Sequence, residues 1–122
     1  MKKIECYIQP YNLDLVVEHL VVEGVYGMSV SEVKGFGVQR GFKPGESARN
    51  GDIKFLPKLK VEMVVLEEDL ENVIESIQNV MRTGRVGDGK VFVTPVDDAV
   101  RTRTGERGRD AITYSGRPSG SR

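Results

Sequence analysis

Thr83-Gly84-Arg85-Val86-Gly87-Asp88-Gly89-Lys90-Val91-Phe92 joins a helical pattern to a strand pattern through a run of glycines. Glycine tolerates positive φ and lets backbone come close, so successive N–H groups can turn toward one point. Such a concavity with a lysine beside it suits phosphate oxygens. Gly84 to Lys90 even matches the opening of a P-loop, G-x-x-x-x-G-K. Val91 follows, however, where a P-loop needs a hydroxyl for magnesium. The flanks are also inverted, helix before and strand after. The stretch therefore excludes a P-loop α/β protein and leaves a phosphate cradle of another kind, or a plain helix-to-strand turn.

Upstream of it, Leu70, Val73, Ile74, Ile77, Val80 and Met81 form one apolar helical stripe, with Asp69 at its start. Before that, Leu59, Val61, Met63 and Val65 alternate with Lys58, Lys60, Glu62 and Val64, the period of a half-buried strand. The same unit stands at the beginning of the chain. Ile4, Cys6 and Ile8 alternate as a strand closed by Pro10. Asn12 is placed to cap a helix whose stripe is Leu13, Val16, Val17, Leu20 and Val21. Met28 to Phe36 reads as a strand with Val30 on one face and Ser29, Ser31 and Val33 on the other. Val91 to Thr94 is the last strand, stopped by Pro95. Strand, helix, strand, strand, helix, strand predicts a ferredoxin-like α+β domain: an antiparallel sheet with both helices on one face. Val33, Val64 and Phe92 are expected on the other face, where a second subunit can cover them.

Composition narrows the class. The 122 residues fit one domain, with equal numbers of basic and acidic side chains and a formal net charge of zero. That argues against nonspecific nucleic-acid binding, which depends on phosphate neutralisation. No apolar run approaches the ~20 residues of a membrane span. A membrane is therefore expected only indirectly, through a partner. The start, Met1-Lys2-Lys3-Ile4, runs straight into a strand pattern and lacks a signal-peptide core. The single cysteine, Cys6, alternates with core positions, which fits a reducing cytoplasm. His19 has no partner histidine or cysteine cluster and is expected at the surface.

Two segments lack periodicity. Gly37 to Lys54 mixes Gly41, Gly45, Gly51 and Pro44 with Arg40, Lys43, Glu46, Arg49 and Asp52. A loop this long in a compact domain is usually functional, and it sits between two strands that can pair as a hairpin. Arg101-Thr102-Arg103-Thr104-Gly105-Glu106-Arg107 sets arginines at alternate positions. In an extended segment they point the same way and can converge on a phosphate. Thr113 to Arg122 is rich in glycine, serine and proline and is expected as a flexible tail after a domain of residues 1–112.

Glu32-Val33-Lys34-Gly35-Phe36-Gly37, Phe55-Leu56-Pro57-Lys58, Thr83 to Phe92, and Arg101 to Gly108 together resemble the PII signal transduction family, the trimeric nitrogen regulators. The resemblance implies a cytoplasmic homotrimer that binds ATP or ADP between subunits and is not an enzyme. It implies that Gly87, Asp88, Gly89 and Lys90 cradle the phosphates and that Arg101 and Arg103 reach them. Ser29, where the family usually has threonine, Gly35, Gly37 and Val38 belong to the same nucleotide site, with Glu62 and Val64 beside the base. Gln39 would complete magnesium coordination with ATP. Gln39, Gly41 and Lys58 would hold 2-oxoglutarate, Lys58 through a carboxylate. The segment Gly37–Lys54 matches the T-loop, which docks onto a target such as an ammonium transporter or a nitrogen-metabolism enzyme. Val38 replaces an arginine that commonly contacts the phosphates. Gly51 stands where many members carry a uridylylated tyrosine, and Ser47 is the loop serine open to phosphorylation. A relative regulating carbon or metal uptake, or a slow ATPase using Lys90 and the arginines, are the alternatives.

Overall fold

The structure is a computed structural model, and it describes residues 1–35, 55–85 and 88–114. Strand β1 (Lys2–Ile8) leads through a turn of 3-10 helix at Pro10–Asn12 into α1 (Leu13–Val22). Strands β2 (Ser29–Gly35) and β3 (Leu56–Val65) follow. A second 3-10 turn, Glu67–Asp69, enters α2 (Leu70–Met81), then come β4 (Val91–Pro95) and a short α3 (Arg109–Ile112). The four-stranded sheet has the order β2-β3-β1-β4 and every pairing is antiparallel. The ferredoxin-like α+β arrangement is thus present.

The register assigns each strand residue to a face. Ile4, Cys6 and Ile8 lie opposite Met63, Val61 and Leu59. They form one core with Val16 and Leu20 of α1 and Val73, Ile77 and Met81 of α2. Burial of these side chains against the helices supplies the main driving force for the fold. The expected stripe of α2 packs as written. That of α1 is narrower: Val16 and Leu20 are buried while Val21 is 43% exposed. Asn12 and Asp69 do stand at the two N-cap positions, but neither makes a side-chain capping bond. Both have helical backbone angles, because a 3-10 turn already leads into each helix.

On the opposite face, paired rows run Phe92, Glu5, Glu62, Ser29 and then Thr94, Lys3, Val64. Val33, Val64 and Phe92 lie there as expected, but among charges. Lys3 bridges Glu62 at 2.7 Å, Lys60 reaches the same carboxylate at 3.3 Å, and the Tyr7 hydroxyl donates to Glu5 at 3.1 Å. Tyr7 and Phe92 meet edge to face, with ring centroids 6.1 Å apart. Among the described residues no helix is long and apolar enough to cross a membrane.

Candidate functional site

Helix α2 ends where Arg82 turns extended, after its N–H has donated to the Gln78 carbonyl at 2.8 Å. The glycine-rich loop then closes on its own aspartate. Thr83 N–H and Gly84 N–H donate to Asp88 Oδ2 at 2.8 and 2.9 Å, and the Thr83 hydroxyl donates to Asp88 Oδ1. The Thr83 oxygen in turn accepts Arg85 N–H at 3.2 Å. These bonds, the Thr83 hydroxyl first, hold the Asp88 carboxyl below its ordinary pKa. The first half of the cradle is therefore satisfied internally, and the side chain of Asp88 organises the loop. The signal for this was the Thr83–Asp88 spacing, which the sequence reading passed over.

The second half is open. The N–H groups of Gly89 and Lys90 enter no hydrogen bond among the described residues, and Lys90 makes no ion pair there. Gly89 has φ +100, and a Cβ on it would lie 2.1 Å from the Tyr7 carbonyl oxygen. Only glycine lets the loop lie this close to β1, where Tyr7 N–H donates to the Lys90 carbonyl at 3.2 Å. Two N–H groups and an ammonium without partners among the described residues form a donor set that fits phosphate oxygens. A cleft of about 430 Å³ runs from this loop along Ile74, Gln78 and Met81.

Gly35 lies at the end of β2, where a Cβ would sit 3.1 Å from Cγ of Lys58, so the glycine makes room for that side chain to lie against β2. Ser29 pairs with Glu62 farther along the same face. Glu62 is held below its ordinary pKa by its bonds to Lys3 and Lys60, and Val64 is half-buried beyond it. Gly37, Val38, Gln39, Gly41, Ser47, Gly51 and Gly87 lie outside the described residues.

The arginine segment differs from its expected form. It is a turn, not an extended run: Val100 and Arg107 bridge, Gly105 has φ +77, and Gly105 N–H donates to the Arg101 carbonyl at 2.7 Å. Alternation therefore does not align the two side chains. Arg101 faces inward, bonding Glu106 at 3.0 Å and the carbonyls of Ala111 and Thr113 at 3.3 and 2.5 Å. Its guanidinium lies 5.2 Å from the centre of the Tyr114 ring. Arg103 is exposed and makes no ion pair among the described residues. Thr113 and Tyr114, assigned by composition to the tail, are thus held in defined contacts.

The two basic groups sit at opposite ends of the sheet. Lys90 adjoins Tyr7, which pairs with Lys60, whereas β4 leaves the sheet at Pro95, opposite Lys2 and Val65. Five residues of strand separate Lys60 from Val65, about 17 Å at ~3.4 Å each. One chain does not bring Lys90 together with Arg101 and Arg103. Among the described residues no cluster of histidine, cysteine or acidic side chains can hold a metal. His19 is exposed, its Nδ1 2.9 Å from the Leu15 carbonyl.

Comparison with known proteins adds to this geometry. A family model described as nitrogen regulatory protein P-II matches residues 1–106. The nitrogen regulatory protein P-II of Azospirillum brasilense is 50% identical over 112 residues, 92% of this chain and 100% of that protein. The protein of the same name from Rhizobium meliloti is likewise 50% identical over the same shares. That of Synechocystis is 46% identical, again over 92% of this chain and 100% of its own length. All three are named as regulators, and none as an enzyme.

Proposed function

The chain belongs to the nitrogen regulatory protein P-II family, and we propose that it acts as a cytoplasmic homotrimeric sensor of ATP or ADP, with 2-oxoglutarate as its effector. The observation that carries this reading is the division of its candidate phosphate-binding groups between two ends of the sheet. Lys90 with the open N–H groups of Gly89 and Lys90 stands at one end of the sheet, and Arg103 and Arg101 at the other. In a closed cyclic assembly the lysine end of one subunit can face the arginine end of its neighbour, which completes a polyphosphate site three times over. The mixed face carrying Val33, Val64, Phe92 and the Lys3–Glu62–Lys60 group supplies the surface for that assembly.

The remaining roles follow the family resemblance, and the chemistry of the residues suits them. Arginine and lysine neutralise phosphate, with arginine adding bidentate geometry. Ser29 and Glu62, paired across β2 and β3, offer a hydroxyl and a carboxylate to the nucleoside. When bound with ATP, magnesium would take a neutral oxygen from Gln39. Lys58 would supply a positive charge for one carboxylate of 2-oxoglutarate, and Gly41 room for a close backbone approach. The segment Gly37–Lys54 would then present different conformations to a target, an ammonium transporter or a nitrogen-metabolism enzyme. Effectors shift that balance only through a difference in affinity between the conformations. The names of the relatives favour nitrogen over carbon or metal uptake. Val38 weakens the hold on the γ-phosphate, so ADP is expected to compete well with ATP.

Calorimetry tests the reading. ATP and ADP bind the wild-type protein, Lys90→Ala weakens both by about tenfold or more, and 2-oxoglutarate gives heat with Mg-ATP but not with Mg-ADP. Absence of nucleotide binding by the wild-type protein overturns the proposal. Silence toward 2-oxoglutarate in both titrations removes the effector and leaves the nucleotide sensor.

A further inference from the structure

Arg101 is engaged twice over: by the chain's own C-terminal segment, and by the phosphate role proposed above. Its Nη1 donates to Glu106 Oε1 at 3.0 Å, and its Nη2 is shared by the carbonyls of Ala111 and Thr113. Tyr114 lies under the guanidinium and meets Tyr26 edge to face, with centroids 6.1 Å apart. Only 21% of the arginine side chain is exposed. We propose that Arg101 is a two-position latch: a bound polyphosphate draws it off the Ala111–Tyr114 segment, so that ligand binding releases that segment.

Three features support a switch rather than a fixed brace. Two of the arginine's three acceptors are neutral carbonyls, whereas a phosphate offers the guanidinium a full negative charge and bidentate geometry. Glu106 does not lose its only partner when Arg101 leaves, because the Thr104 hydroxyl donates to the same oxygen at 2.7 Å. The segment is also lightly held. None of residues 109–114 is buried, and beneath them lies a cavity of about 200 Å³ lined by Val25, Gly27, Leu66 and Ile112 among others. Ala111, Ile112 and Thr113 are only half-buried over that cavity, so they are packed less closely than the core. A further anchor, Arg109 to Glu68 at 2.6 Å, joins exposed groups, and such pairs hold weakly.

This inference rests on the nucleotide reading, and linkage makes it testable separately. A segment that competes with phosphate for Arg101 lowers phosphate affinity, so weakening the segment raises it. The experiment uses the full chain with ADP as the probe. Hydrogen exchange at Ala111–Tyr114 is expected to speed up on saturation with ADP. Tyr114→Ala, at a half-exposed position, is expected to bind ADP roughly threefold tighter or more, while Tyr114→Phe keeps wild-type affinity. Unchanged or slower exchange, or ADP binding that is equal or weaker in Tyr114→Ala, overturns the latch and leaves the nucleotide reading standing. Absence of ADP binding in all three proteins overturns both.

Discussion

Replacing Gly89 by alanine tests how the glycine-rich loop is seated. The added Cβ would lie 2.1 Å from the Tyr7 carbonyl oxygen and 3.0 Å from Cε of Met81. The methionine end can move, but the carbonyl belongs to the central strand β1. Relief therefore requires the loop to back away, which breaks the 3.2 Å bond from Tyr7 N–H to the Lys90 carbonyl. Gly84 supplies the control. It also has positive φ, +83, but an added Cβ meets nothing within 4 Å. Both substitutions incur about 1–2 kcal/mol of left-handed backbone strain, partly offset by reduced freedom of the unfolded chain. Only Gly89→Ala adds overpacking, about 1–3 kcal/mol, and a lost hydrogen bond, about 0.5–1.5 kcal/mol. Gly89→Ala should thus be less stable than Gly84→Ala by about 1.5–4.5 kcal/mol. Urea unfolding followed by circular dichroism, at matched protein concentration, measures the difference. Equal stability of the two variants within about 0.5 kcal/mol would refute the close approach of the loop to β1.

Two further outcomes follow from titrating groups. Burial pushes the Cys6 thiol up to about 11, so the native protein should resist alkylation near neutral pH and react once unfolded; rapid native labelling would contradict the packing of β1. Asp88 and Glu62 both have depressed pKa values in the folded chain. Their stabilisation is therefore complete above the ordinary carboxylate range, ~4, and is lost as pH falls through their folded values. Thermal unfolding from neutral to acid pH should show this loss, with a shallower acid slope in Asp88→Asn; an identical slope would contradict the Thr83–Asp88 closure.

The strand and helix order was legible because period does not depend on tertiary detail: Ile4, Cys6 and Ile8 alternate, and Val73, Ile77 and Met81 recur at helical spacing. The narrower stripe of α1 was not, since which edge of a helix stays wet depends on how it lies across the sheet. The cap at Asn12 and the helix start at Asp69 were read by residue type, whereas the 3-10 turns that contain or precede them had already fixed the chain's entry. At the site, the glycine run was legible as a helix-to-strand turn, whereas the seating of Gly89 and Lys90 against Tyr7 of β1 is a long-range contact that no local pattern shows. The arginines misled, because alternation implies a common direction only in an extended chain, and Gly105 with Glu106 folds this segment into a turn. The inward bonds of Arg101 to Ala111 and Thr113 depend on a contact across ten and more residues, which no local pattern announces.

The claim that each phosphate site is shared between two copies of the chain is tested most directly by mixing defective protomers. Lys90→Ala and Arg103→Ala each remove one half of the site and should each weaken ADP binding by about tenfold or more. If the halves meet between subunits, co-refolding the two variants in equal amounts pairs an intact lysine end with an intact arginine end at about one interface in four. Titration calorimetry of the mixture should then recover about a quarter of the wild-type number of high-affinity ADP sites. Recovery of none, with both variants folded and co-assembled, would mean that Lys90 and Arg103 act within one chain, and would contradict the shared site.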